Sequence, residues 1–166
     1  MKKWVFILVI IIVVALSFNY FYSQFSLTLT SSLSRETLTV GENYYLGFGL
    51  QWRGFFSPRL LDVRLRQGDG GIIDRNHEQL EVVPFIDVNQ YTGTLDEEAY
   101  LEYASEGLID YVPVRDARIE DNNLLVLRIN LKDEDYIDTV DAMIFDYRIL
   151  GIPRRQVIEF GGPLRY

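Results

Sequence analysis

The chain has 166 residues, a formal charge of −8, no cysteine and one histidine. Without cysteine there is no disulfide framework, no thiol chemistry and no lipid-modified thiol. One histidine alone cannot supply the three or four nitrogen or sulfur ligands of a zinc centre.

From Trp4 to Phe18 no residue is charged, and Ser17 is the only hydroxyl. The 19 residues from Trp4 to Tyr22 make a helix of about 28 Å, just enough for a hydrocarbon core of about 30 Å. Lys2 and Lys3 precede the run and no acid occurs before Glu36, so the positive-inside rule keeps the N-terminus in the cytoplasm. Trp4 at one end and Tyr20, Phe21 and Tyr22 at the other have the placement of interfacial aromatic belts. A cleaved signal peptide is the competing reading. Its only small-x-small site, Ala15-Leu16-Ser17, would leave a mature end beginning Phe18-Asn19-Tyr20-Phe21-Tyr22, which nothing nearby buries. The expectation is a signal anchor over residues 1–23 and an exported domain over 24–166, held outside the cell membrane, with secretion as the alternative. All 24 acids but only 14 of the 16 basic residues lie beyond the anchor, giving that part a formal −10. Such a charge argues against nucleic acid or an anionic lipid surface as partner.

Past the anchor, Phe25-Ser26-Leu27-Thr28-Leu29-Thr30 alternates as a half-buried strand does. After a turn at Gly41-Glu42-Asn43, a second strand places Tyr44, Leu46, Phe48, Leu50 and Trp52 on one face. Gly47, Gly49, Gln51 and Arg53 share the other. Glycines within a strand point to a bulge or a close backbone approach. Leu61, Val63 and Leu65 alternate with Asp62, Arg64 and Arg66, predicting a third strand with a charged outer face; Gln67-Gly68-Asp69-Gly70-Gly71 then turns. Leu80–Ile86 is a fourth segment, which Pro84 relegates to an edge or a bulge.

The period then changes. Thr94 and Glu97 have capping-box spacing and Gly107 is a natural stop, so a short helix is expected over 94–107. Leu95, Ala99 and Tyr103 would pack on a sheet, with Glu98, Glu102 and Glu106 on a solvated ridge. Strands return after Asp121-Asn122-Asn123, with Leu125, Leu127, Ile129 and Leu131 on one face. A final hairpin is expected from Met143–Leu150 and Gln156–Phe160 around Gly151-Ile152-Pro153-Arg154. The tail from Gly161 to Tyr166 reads as a frayed end. The pattern predicts a mainly β fold, an antiparallel β-sandwich with one short helix behind an N-terminal transmembrane helix. The strand order resembles immunoglobulin-like domains in a general way, although their Cys-Trp-Cys core is missing.

No catalytic set stands out. His77 lies among polar residues with no nucleophile motif in the chain, and reads as a solvated loop side chain. Gly68-Asp69-Gly70-Gly71 lacks the Lys-Ser/Thr of a phosphate loop. Lys132–Asp141 holds five acids, a possible calcium loop without the EF-hand pattern, more simply an acidic turn over Tyr136. Trp52, Arg53, Phe55 and Phe56 gather large side chains beside Gly54 and Pro58. They are a partner-contact candidate if exposed, and otherwise core or a loop dipping into the outer leaflet. The leading expectation is a non-enzymatic, membrane-anchored extracytoplasmic domain that binds another protein at the cell surface, with no cofactor. The alternatives are a carboxylate-dependent hydrolase of wall sugar or peptide, with Glu97, Glu102, Asp133 or Asp135 as its acids, and an accessory subunit of a membrane complex.

Overall fold

The computed structural model describes residues 2–29, 33–34, 37–120, 122–136, 139–159 and 164–165. The elements run α1 (Lys2–Tyr22), β1 (Gln24–Leu29), β2 (Leu33–Ser34), β3 (Asn43–Arg53), β4 (Arg59–Gln67), β5 (Ile72–Ile73) and β6 (Leu80–Asp87). β7 (Thr94–Asp96), α2 (Glu97–Ser105), β8 (Tyr111–Pro113), β9 (Asn122–Leu131), β10 (Val140–Ile149), β11 (Ile152–Glu159) and β12 (Leu164–Arg165) follow.

Two antiparallel sheets carry the fold. One has the order β1-β3-β9-β6-β8, with β7 beside β3 beyond the end of β1, and the other the order β11-β10-β4-β5. Alternation along β3 turns Tyr44, Leu46, Phe48, Leu50 and Trp52 inward as expected. They meet Leu125, Leu127, Ile129 and Leu131 of β9, and Val63, Leu65, Met143, Phe145 and Tyr147 of the second sheet, in one apolar cluster. β9 is buried on its other face too, because Leu124 and Val126 lie under α2 with Tyr45, Leu95 and Ile109. Tyr45, Tyr100 and Tyr111 stack there, Tyr45 and Tyr100 with centroids 4.2 Å apart. Burial raises the hydroxyl pKa of Tyr111 to about 12, with the nearby charge of Asp87 adding to the rise against the lowering hydrogen bond of Thr92.

Several boundaries differ from expectation. The helix starts at Glu97, because Thr94–Asp96 pairs with Tyr44–Leu46 and the side chain of Asp96, not Thr94, caps it by accepting from the Ala99 N–H. Gly107, at φ 70°, ends it, with Leu108 N–H bonded to Tyr103 O. In β4 a register shift against β10 brings Leu60 rather than Leu61 into the core. The last hairpin turns on Leu150-Gly151 alone, both at positive φ, so Ile152, Pro153 and Arg154 belong to β11. The tail does not simply fray: Leu164 and Arg165 pair in parallel with Leu33 and Ser34. Thr30, Asp121, Asp138, Phe160, Gly161–Pro163 and Tyr166 lie outside the described residues.

α1 is helical over 21 residues. Every described side chain from Trp4 to Val14 is exposed, on all sides of the helix. Among the described residues no helix is long and apolar enough to cross a membrane, so the structure does not support the expected N-terminal transmembrane helix.

Gly47 is the close backbone approach that its mid-strand position predicted. A Cβ there would lie 2.2 Å from Thr92 O, and its N–H donates to Gly93 O at 2.8 Å. Gly47→Ala is therefore expected to destabilise by about 2–3 kcal/mol in urea titration. At Leu150, φ is 50° in an exposed turn, so Leu150→Asn is expected to raise stability by about 1 kcal/mol in the same assay.

Candidate functional site

The stretch Trp52–Pro58 divides in the structure. Trp52 is withdrawn into the core, only 6 % exposed, where its indole N–H donates to Phe56 O at 3.0 Å. Phe55 is 93 % exposed and Phe56 is at 37 %, with Arg53 exposed beside them. Thus three of the four contact candidates, Arg53, Phe55 and Phe56, reach the surface, and Trp52 braces the turn that presents them. Pro58 O accepts from Ile119 N–H at 3.0 Å and fixes the turn from its other side. Gly54 is required by crowding: a Cβ there would meet Ser23 Oγ at 2.7 Å.

Register places this turn at the end of the domain from which α1 leaves. Gln24 pairs with Arg53, and Arg59 with Arg148, just before the Leu150-Gly151 turn. Trp52 touches Tyr147 at 5.7 Å between centroids, joining the two sheets at that level. Leu150 and Ile152, 64 % and 54 % exposed, therefore share this end with Phe55 and Phe56. At the opposite end, among the described residues, Val40 and Ile72 are the exposed large apolar side chains, at 38 % and 40 %.

A second feature is a cleft of about 670 Å³ between β4 and the β6–β8 edge, lined among others by Leu61, Asp62, Arg75, Val83, Phe85 and Arg115. β8 covers only Phe85–Asp87 of β6, leaving Leu80–Pro84 without a neighbouring strand on that side. The uncovered donors are already used: Val82 N–H bonds to Asp74 O and Leu80 N–H to His77 Nδ1, both at 3.2 Å, and Pro84 has none. An incoming strand would therefore find no free N–H donor on this part of β6. Burial raises the Asp62 pKa against the opposing charge of Arg64.

The residues with catalytic potential do not assemble. His77 is half-buried, caps Leu80 and stands edge-on to Tyr136, rather than being solvated as expected. Glu97 accepts from Tyr45 Oη at 3.2 Å and Glu102 is exposed on α2. Asp133 instead follows β9, accepting from Gln79 Nε2 and from the Asp135 N–H, both at 2.9 Å. In the acidic loop, Asp141 turns to the outer face of the second sheet and holds Arg66 through two bonds of 2.9 and 3.0 Å. Tyr136 packs in the core beneath, as expected. Among the described residues no group of three or more His, Asp or Glu is placed to hold a metal ion.

The arginines have a structural use that composition does not reveal. Across the outer face of the second sheet, Asp146 holds Arg155 through two bonds and also pairs with Arg64, which reaches Asp62 at 3.3 Å. Arg148 pairs with Asp116. The fork of arginine suits such two-point contacts and an ammonium does not.

No family model matches the chain, and no curated protein or solved structure is similar to it.

The ion pairs set a pH dependence. Hydrogen bonds hold Glu81, from Lys132, and Asp141, from Arg66, below the ordinary carboxylate range. At Asp146 burial is the largest influence and pushes upward, but Arg155 and Arg64 outweigh it and the pKa is lowered. Carboxylates lowered in the fold contribute stability that is complete above their unfolded pKa of about 4 and is lost as pH falls through the folded value. Asp62, raised by burial, works with the opposite sign. Urea midpoints are expected to drop between about pH 5 and about pH 3. Asp146→Asn is expected to cost about 1–2 kcal/mol at neutral pH and to flatten that drop.

Proposed function

We propose that the chain is a membrane-tethered, non-enzymatic binding domain. On this reading α1 is a retained anchor and the two sheets form a β-sandwich outside the cell membrane, which engages another protein. The observation that carries it is α1, whose exposed apolar side chains from Trp4 to Val14 leave no polar side to face water. A helix apolar all round needs an apolar surrounding, and a bilayer supplies one. Lys2 and Lys3 at its start and the acids confined to the rest of the chain fit an outward orientation.

The binding half of the proposal is supported by the cleft beside β6. It offers apolar walls from Leu61, Val83 and Phe85, and charges of both signs from Asp62 and Arg115. The scatter of Glu97, Glu102, Asp133 and Asp135 over α2 and the turn after β9 gives the hydrolase reading no comparable support.

A photo-crosslinking amino acid at Val83 or Arg115 in intact cells is expected to capture one recurrent membrane or surface protein, which the same probe at Glu102 misses. Equal labelling from all three positions would remove the cleft as the binding site. Recovery of the protein from the medium would remove the tether.

A further inference from the structure

We propose that the end of the domain carrying Phe55 and Leu150 is seated in the lipid headgroup region, with both side chains inserted among the acyl-chain carbons next to the headgroups. The inference rests on α1 being a membrane anchor and adds where the domain stands relative to the bilayer.

The joint between helix and sheet leaves almost no slack. α1 ends at Tyr22, Ser23 is buried, and Gln24 is already paired with Arg53. One connecting residue spans no more than about 3.5 Å, so the turn after Arg53 is held close to the level where the helix leaves the bilayer. That turn presents Phe55 at 93 % exposure, and the neighbouring hairpin tip adds Leu150 at 64 %. Both tips are built rather than loose. Trp52 and Ile119 tie down the first, and direct strand pairing closes the second. Exposed aromatic and aliphatic tips on braced loops cost solubility in water and gain contact area in lipid.

Segments 53–59 and 148–155 carry five arginines and no acid, while Asp116 and Glu120 stand at the same end, Asp116 paired with Arg148. Arg53 is exposed beside Phe55, where its stem can lie along the apolar layer, while Arg59 donates to Asp116 O at 3.1 Å. Asp69, Asp133, Glu134 and Asp135 lie on the loops at the far end. A protein partner covering the same tips is the competing occupant; the absence of slack at Ser23 favours lipid, because the bilayer is already at that level.

The chain has no native cysteine, so single-cysteine variants take a polarity-sensitive fluorophore cleanly. The full chain would be reconstituted in vesicles of phosphatidylcholine with a minority of phosphatidylglycerol. Phe55→Cys, Leu150→Cys, Ile10→Cys within α1 and Glu134→Cys at the far end would be labelled in turn. Probes at 55 and 150 are expected to show blue-shifted emission, quenching by spin-labelled lipid and loss of iodide quenching, approaching the probe at 10 and unlike that at 134. If 10 is quenched by lipid while 55 and 150 stay open to iodide, the seating is wrong and the anchor stands. Tips shielded from iodide and from spin-labelled lipid alike would put a protein or a second copy on them and overturn the proposal. If 10 itself escapes lipid quenching, the anchor reading fails and the seating falls with it.

Discussion

Phe25 packs against Trp52, Phe145 and Tyr147, with ring centroids 4.8, 5.2 and 4.9 Å away. Its backbone N–H and C=O are both taken by the side-chain amide of Gln156, at 2.7 and 2.8 Å. β1 is an edge strand, so these are the groups that would otherwise face outward. Gln156 belongs to β11, at the edge of the other sheet, and its amide acts there as a short piece of strand. A single residue thereby closes one side of the domain, fills the core where the sheets meet and fixes the first strand after α1.

With no disulfide available, cohesion has to come from such packing. Burying side chains the size of Leu46, Phe48 and Leu50 contributes roughly 2 kcal/mol each, and the arginine–carboxylate ladder on the second sheet adds smaller increments. Even at the end that carries Arg53, Arg59 and Arg148, Asp116 pairs with Arg148, so the arginines there are partly neutralised within the fold.

Alternation made most of the fold legible. The inward set on β3, the inward set on β9 and the charged face of β4 follow from period two, and Gly47 from the rule that a strand glycine marks a close neighbour. What stayed hidden depends on pairing across the chain. β8 and β5 are too short to carry a pattern, and Thr94–Asp96 takes its form from Tyr44–Leu46 rather than from its own residues. The Leu150-Gly151 turn lacks the usual asparagine or aspartate, although two residues between two apolar runs was the available signal. The contact stretch was readable as a cluster, and period two already turned Trp52 inward; that Phe55, past the end of β3, stays exposed follows from the turn, which the indole bond to Phe56 O helps to hold.

The uncovered half of β6 has a consequence for copies of the chain in company. Molecules confined to a surface share an orientation, so their sheet edges meet side-on far more often than in free solution, and an open ladder would zip neighbours into ribbons. Here Asp74 O, His77 Nδ1 and the missing donor of Pro84 leave that border with no spare N–H donor among Leu80, Val82 and Pro84 to offer a passing strand. Pro153 and the arginines of β11 roughen the border of the other sheet. On the proposed tether, which would orient copies alike, these borders disfavour strand addition between neighbours.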